Sequence, residues 1–391
     1  MNLCHVCGQV LLKLSPDYPK FKRVTSDCKP WPKGGQLGVC EACRCVQAMT
    51  NDAWREEITN IYRAYEIYHH GGGKEQHVFE QSSGAASSRS DRLVSMLATL
   101  PVHPLSGRLM DIGCGNGAFL TSFGRAFPNW EMEGLEWDDK YRSPVESIPG
   151  VKNLYSGDVS LVPGNFDAIS MIHVLEHIES PLSLLQKVKK KLTPGGLLII
   201  QLPYFVENPF ELFVADHATH FDRVTVRSLL EQAGFQVSVV ETTWVSKELS
   251  IVAYNLPPKA SSESAHASPQ LSSILNWLKS VIDRAQAVAS ESKNFGIFGT
   301  SIAGTWLFNE IGSSVRFFVD EDTNRIGRHY LGLPVLHPSE VPAESDVYVG
   351  LAPMISSSVV RRIQSKGARY HEVPQFPPFV QPPFISSTHG E

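Results

Sequence analysis

The segment Gly107-Arg-Leu-Met-Asp111-Ile-Gly113-Cys-Gly115-Asn-Gly117 constrains this chain more than any other. Leu109 to Ile112 is apolar enough for a buried strand, and the glycines open a helix predicted over Ala118 to Phe127. Glycine lets backbone approach a ligand closely. A second strand, Trp130-Glu-Met-Glu-Gly-Leu-Glu136, ends in a carboxylate nineteen positions beyond Gly117. At that distance it can accept both hydroxyls of a ribose. Strand, glycine turn, helix and acid together predict a βαβ nucleoside site in an α/β fold.

The glycine order narrows the nucleoside. A pyrophosphate binder carries G-x-G-x-x-G and seats its anion at the helix N-terminus. This turn reads G-x-G-x-G, and Asp111 stands two residues ahead of it. A carboxylate there repels phosphate and suits the ammonium and sulfonium of S-adenosylmethionine. Asp111, Gly113, Gly115, Gly117 and Glu136 are therefore the expected cofactor-binding residues. On these residues the chain resembles the class I S-adenosylmethionine-dependent methyltransferases. The resemblance implies a third strand before Ser156-Gly-Asp158, with Asp158 meeting the adenine amino group. Phe166 to Ile172 reads as a fourth strand, followed by His173-Val-Leu-Glu176-His177, a run that similar chains often carry; His173 is grouped with the cofactor. A helix from Leu182 to Lys191 is predicted to stop at Thr193-Pro-Gly-Gly196. Leu197 to Leu202 is continuously apolar, as expected of a parallel strand covered on both faces. Glu176 and His177 suit either a pocket wall or a helix start as well as catalysis.

With 391 residues, 42% of them hydrophobic, the chain has material for two or three cores. A net charge of -5 and a single basic run, Lys187 to Lys191, give no field for a phosphate backbone. No nucleic-acid partner is expected. No apolar run approaches the roughly 18–20 residues of a membrane span, and the start Met-Asn-Leu-Cys is no apolar leader. A cytoplasmic protein without a membrane partner is the expectation.

Six of the seven cysteines fall in the first forty-five residues. Cys4-His-Val-Cys7 and Cys40-Glu-Ala-Cys43 can each present two thiolates from a tight turn, giving the four-sulfur shell of structural zinc. An iron centre of rubredoxin type and unligated thiols are the alternatives, and His5 could stand in for one cysteine. Pro16 to Gly38 has too few apolar residues for its own core, so metal would supply stability there.

Beyond the fifth strand comes an insertion, residues 204–223, containing Val214-Ala-Asp216-His217-Ala-Thr-His220. It lies at the strand-end face where a methyl group emerges. Two C-x-x-C pairs, a central methyltransferase domain and a C-terminal nucleotide-type domain resemble the bacterial sugar-nucleotide C-methyltransferases. Val46-Gln47 after the second pair and the tyrosines of a helix predicted over Trp54 to Tyr68 add to the likeness. That resemblance implies a nucleotide-linked keto-sugar as acceptor and His217 as the base that deprotonates its carbon. Of the family's Tyr-His-Glu-His, only His217 is retained; Val214, Ala215 and Asp216 replace the others. Asp216 or Glu211 could orient His217, and His177 or His220 could steady an enolate. O- or N-methylation of a glycan or natural-product intermediate fits the altered segment too. A zinc-knuckle RNA methyltransferase and a non-catalytic assembly protein are further readings.

Leu256 to Pro269 is rich in proline and serine and reads as a linker. After it, a helix over Leu271 to Ala289, a strand Phe295 to Phe298, a turn Gly299 to Gly304, a helix Thr305 to Ile311 and a strand Val315 to Val319 closed by Asp320 repeat the nucleotide-fold grammar. The expected organisation is a zinc-binding segment at 1–50, a Rossmann-like methyltransferase domain at 51–256, a linker at 257–270, and a C-terminal α/β domain at 271–391 with a proline-rich tail.

Overall fold

A seven-stranded sheet carries the central domain, in the order Val151–Ser156, Trp130–Glu136, Gly107–Ile112, Phe166–Ile172, Leu192–Pro203, Glu248–Tyr254, Gln236–Glu241. The first five strands run parallel, and Glu248–Tyr254 is antiparallel to both neighbours. The computed structural model describes residues 3–376 except 11, 67–74, 76, 80–85, 101–105, 260–269 and 364–366. Strand order reverses between Gly107–Ile112 and Phe166–Ile172, so a crevice opens beyond their carboxyl ends. The α/β expectation holds. Leu109, Met110, Ile169 and Leu198 are fully buried, as continuous apolar runs in a sheet covered on both faces require.

Some boundaries differ. Thr193 to Gly196 does not interrupt the chain before the fifth strand. The strand already begins at Leu192, and a register shift between Phe166 and Ala168 absorbs the excursion. The preceding helix starts at Pro181, whose missing N–H costs nothing in a first turn. The tyrosine-bearing helix is Asp52–Arg63, started by the Asn51 side chain accepting from the Trp54 N–H. Tyr65 lies past its end, and Tyr68 falls outside the described residues.

The N-terminal segment does not stand alone. Its sheet runs Leu12–Leu14, Leu37–Cys40, Val46–Ala48, Thr219–His220, so the insertion supplies the fourth strand. Thr219 pairs with Gln47 and His220 with Val46. The insertion's Phe205, Phe210 and Phe213 share one apolar cluster with Tyr18 and Phe21 on one side and Trp277 and Trp306 on the other. Phe213 stacks on Trp306 with ring centroids 5.0 Å apart. Trp306 Nε1 donates to the Lys22 carbonyl at 3.0 Å.

The C-terminal domain is a six-stranded sheet ordered His329–Tyr330, Leu333–Leu336, Val315–Val319, Phe295–Phe298, Asp346–Val349, Arg369–Glu372. All neighbours are parallel except the hairpin of the first two. Helices Leu271–Glu291, Ile302–Ile311 and Pro353–Arg362 accompany it. A Cβ on Gly304 would sit 2.0 Å from the Gly299 carbonyl oxygen, so the turn and its helix can meet only at glycine. Residues 260–269 of the expected linker and the tail beyond 376 lie outside the described residues. Among the described residues no helix is long and apolar enough to cross a membrane.

Candidate active site

The glycine turn is built as its sequence demands. Gly113, Gly115 and Gly117 all take positive φ, and a Cβ on Gly113 would meet Val174 Cγ2 at 2.4 Å. Gly115 N–H donates to Glu136 Oε1 at 2.6 Å, and Trp137 N–H to the other oxygen at 3.0 Å. Glu136 is thus fixed at its strand end with lone pairs to spare. Asp111 is 1% exposed and accepts from the Ser170 hydroxyl at 2.7 Å. Burial pushes its carboxyl up to about 8, Ser170 opposing. Among the described residues no cation pairs with it. Gly117 starts the helix Ala118–Ala126. Asp158 is exposed at the end of Val151–Ser156, where it accepts from Ser160 N–H and pairs with Lys187 at 2.6 Å.

A cavity of about 270 Å³ opens at the carboxyl end of the sheet, walled by all three parts of the chain. Asp111, Gly113, Gly115, His173, Glu176 and His177 come from the central domain; Glu211 and His217 come from the insertion. Ser26, Asp27 and Cys28 close it from the N-terminal segment, Ser301, Ile302 and Arg325 from the C-terminal domain. Glu136, Gly117, Asp158, Asp216 and His220 are not part of this wall. Cys28, His173 and Lys247, all in the wall, are non-glycine residues at positive φ, the kind of strain that gathers at functional sites.

The histidines differ sharply. His217 is 4% exposed, and burial, then its neighbours His177 and His220, hold its imidazole well below the ordinary range. His177 lies with ring centroids 4.8 Å from His217. Its Nδ1 sits 3.0 Å from the Asp216 carbonyl oxygen and 3.2 Å from the Tyr62 hydroxyl. Asp216 is fully buried, gripped by the Ser26 N–H and hydroxyl, with Oδ2 3.5 Å from His177 Nδ1. Asp216 therefore orients His177, where the sequence suggested His217. His220 is not part of the wall; burial brings its pKa to about 3, and among the described residues its Nε2 has no hydrogen-bond partner. His173 contacts Arg89 and Glu248, at 2.7 and 2.9 Å from its Nε2.

Residues that sequence reasoning did not single out complete the wall. Arg89, Lys247, Glu248 and Arg325 carry no local motif; only long-range folding brings them here. Glu211 is half-buried, and burial outweighs Lys247 to push its carboxyl up to about 7. Its Oε1 accepts from Asn208 Nδ2 at 2.7 Å.

Far behind the cavity, Cys4, Cys7, Cys40 and Cys43 bring their sulfurs within 4.8 Å of one another. Cys4 Sγ lies 3.4 Å from Cys43 Sγ, and Cys7 Sγ 3.6 Å from Cys40 Sγ. Both knuckles close alike, Gly8 N–H to the Cys4 carbonyl and Arg44 N–H to the Cys40 carbonyl, each at 2.9 Å. His5 turns away, Nδ1 at 2.7 Å from Thr219 Oγ1, so the cluster consists of four thiols.

Residues 85–240 match a family described as a methyltransferase domain. A trans-aconitate 2-methyltransferase of Acidovorax ebreus is 26% identical over 204 residues, 50% of this chain and 74% of that one. One from Deinococcus radiodurans is 25% identical over 30% of this chain and 45% of its own length. An uncharacterised transposon protein of Streptomyces fradiae is 30% identical over 32% of this chain and 37% of its own. The chain thus spans less than half the length of those last two relatives. Human N-acetylserotonin methyltransferase, solved with S-adenosylmethionine, is 17% identical, covering 42% of this chain and 50% of that one with a TM-score of 0.35. Its sheet order and glycine turn give the central domain a Rossmann-like fold, and residues 85–240 of the chain are similar to methyltransferase domains.

Proposed function

We propose that the chain transfers a methyl group from S-adenosylmethionine to a small molecule held in the three-walled cavity. The observation that carries this is Asp111: a buried carboxyl, lacking a cationic partner among the described residues, facing the cavity beside a glycine turn. A bound cofactor supplies an electrophilic methyl on a cationic sulfur. Asp111 offers that cation and its ammonium a counter-charge, Gly113 and Gly115 admit the chain, and Glu136 takes the ribose. In-line transfer then needs an aligned acceptor and somewhere for its proton to go. Glu211 is better matched to accept it than His217. A carboxyl held near 7 is basic at working pH, whereas burial weakens the His217 imidazole.

A nucleotide-linked keto-sugar remains the acceptor class to which the three-part architecture points. The cavity's charge favours a second reading, methyl transfer to an oxygen of an uncharged or weakly charged acceptor. Its described wall holds six carboxyl residues, Asp27, Glu75, Asp111, Glu176, Glu211 and Glu248, with Asp111 and Glu211 pushed toward neutrality by burial, beside Arg89, Lys247, Arg325 and His173, so it presents no excess of cations. A diphosphate gains little there. The O-methylating relatives, a fission-yeast ubiquinone-biosynthesis enzyme among them, lie on the same side. We also infer structural zinc at the four cysteines, because their separations approach the ~3.8 Å between thiolates on tetrahedral zinc.

Calorimetry tests the core of this. S-Adenosylhomocysteine should bind one per chain, and a panel of nucleotides, keto-sugars and hydroxylated acceptors titrated into that complex should then discriminate the two acceptor classes. Absence of nucleoside binding by folded protein would overturn the proposal. With an acceptor in hand, Glu211→Gln should lower kcat roughly 10²-fold or more while binding persists.

A further inference from the structure

The cavity brings together a second set of side chains of the kinds that ligate metals. Glu176, His177 and His217 each turn one ligand atom into a space in which all three lie within 4.8 Å of one another. Glu176 is 2% exposed, and among the described residues neither of its carboxylate oxygens has a hydrogen-bond partner. Its nearest basic neighbour is His173, whose Nδ1 is 3.4 Å from Oε1. A buried carboxylate left in that condition is costly unless something else binds it.

The surroundings of His177 are those of a ligand. Its Nδ1–H donates to the Asp216 carbonyl oxygen at 3.0 Å, with the Asp216 carboxylate behind, and this tautomer leaves the Nε2 lone pair free. Metal-bound imidazoles are oriented in this way by a carbonyl or carboxylate on the far nitrogen. Ser26, from the N-terminal segment, fixes Asp216 in turn through its N–H and hydroxyl.

We propose that Glu176, His177 and His217 bind one divalent transition-metal ion, distinct from zinc at the four cysteines. Two imidazoles and one carboxylate select for zinc, manganese, iron or cobalt over magnesium or calcium. Closing three ligand atoms onto such an ion takes side-chain shifts of about an ångström, given bonds of ~2.0–2.2 Å. Three protein ligands leave positions open toward the cavity, where an acceptor oxygen can coordinate and lose its proton more readily. The ion carries no redox change: the proton passes to Glu211, the freed electron pair forms the bond to methyl, and the carbon–sulfur bond breaks. The ion's catalytic role rests on the methyl-transfer reading; its binding does not.

The test is cobalt(II) titration of full-length protein whose zinc content has been measured, followed by visible absorption, with S-adenosylhomocysteine binding read in parallel. One cobalt per chain beyond the cysteine site is expected, with ligand-field bands and no new thiolate charge-transfer band. Glu176→Gln should weaken it at least tenfold while zinc content and nucleoside affinity stay normal. His217→Asn gives the same reading should Glu176→Gln not fold. Cobalt that only displaces zinc from thiolates, in protein that binds S-adenosylhomocysteine, overturns the metal site and leaves methyl transfer standing. Cobalt binding without nucleoside binding does the reverse.

Discussion

The molecule contains the order strand, glycine turn, helix and strand-end acid twice, with opposite outcomes. In the central sheet, Asp111 and Glu136 flank a glycine turn whose carboxylates keep unused lone pairs. In the C-terminal sheet, Gly299 to Gly304 makes an equally tight turn, and Asp320 stands at the neighbouring strand end as Glu136 does. There the carboxylate is already engaged: one Asp320 oxygen takes the Thr300 N–H and hydroxyl, the other the Glu321 and Asp322 N–H groups. Arg325 adds its guanidinium, donating to the Thr300 carbonyl at 2.9 Å. A strand, a glycine turn and an acid are a scaffold. A ligand site results when the acid's capacity is not spent on its own turn.

The largest effect should come from attacking the second turn as scaffold. Gly304→Ala forces a methyl against a backbone oxygen at 2.0 Å, so the C-terminal domain should lose about 3 kcal/mol or more. A thermal melt unchanged by that substitution would show that the turn can move. Next come the substitutions that treat the first turn as a site. Gly113→Ala adds a strained φ and a clash with Val174, and S-adenosylhomocysteine affinity should fall roughly tenfold or more, with a smaller loss of stability than Gly304→Ala.

Asp111 divides function from stability. Its folded pKa, raised to about 8, lies above the unfolded value, so the native chain binds the extra proton. Stability should therefore be highest below about pH 4 as far as this group is concerned, decline as pH rises, and level off above 8. Cofactor affinity should run the opposite way, improving up to about pH 8. Asp111→Asn should flatten both slopes and raise stability while weakening S-adenosylmethionine binding about 10–100-fold. Smallest is Asp320→Asn, expected to cost about 1 kcal/mol through lost pairing with Arg325 and to leave nucleoside affinity untouched. A change in that affinity would mean the two turns are not independent.

The parts legible in the sequence were those that depend on neighbours in sequence. The strands at Trp130–Glu136, Phe166–Ile172, Phe295–Phe298 and Val315–Val319 match because apolar runs bounded by glycines and charges are local signals. The paired cysteines were local too. The contact of Asp216 with His177 is not legible, because Asp216 is held by Ser26, which is 190 positions away in the chain. Likewise, nothing near Thr219 announces that it will pair with Gln47, and Thr193 to Gly196 joins a strand only because its partner's register shifts. Glu211 reads as an ordinary acid until folding brings His173, Lys247 and Glu248 near it.

That pairing of Thr219 with Gln47 ties the wall facing the acceptor to the cysteine knuckles, whereas the cofactor turn is anchored in the central sheet. The two halves of the cavity therefore have different vulnerabilities. If zinc holds the four cysteines, its removal should loosen the insertion's side of the cavity before the glycine turn, so S-adenosylhomocysteine binding should outlast acceptor binding during chelation.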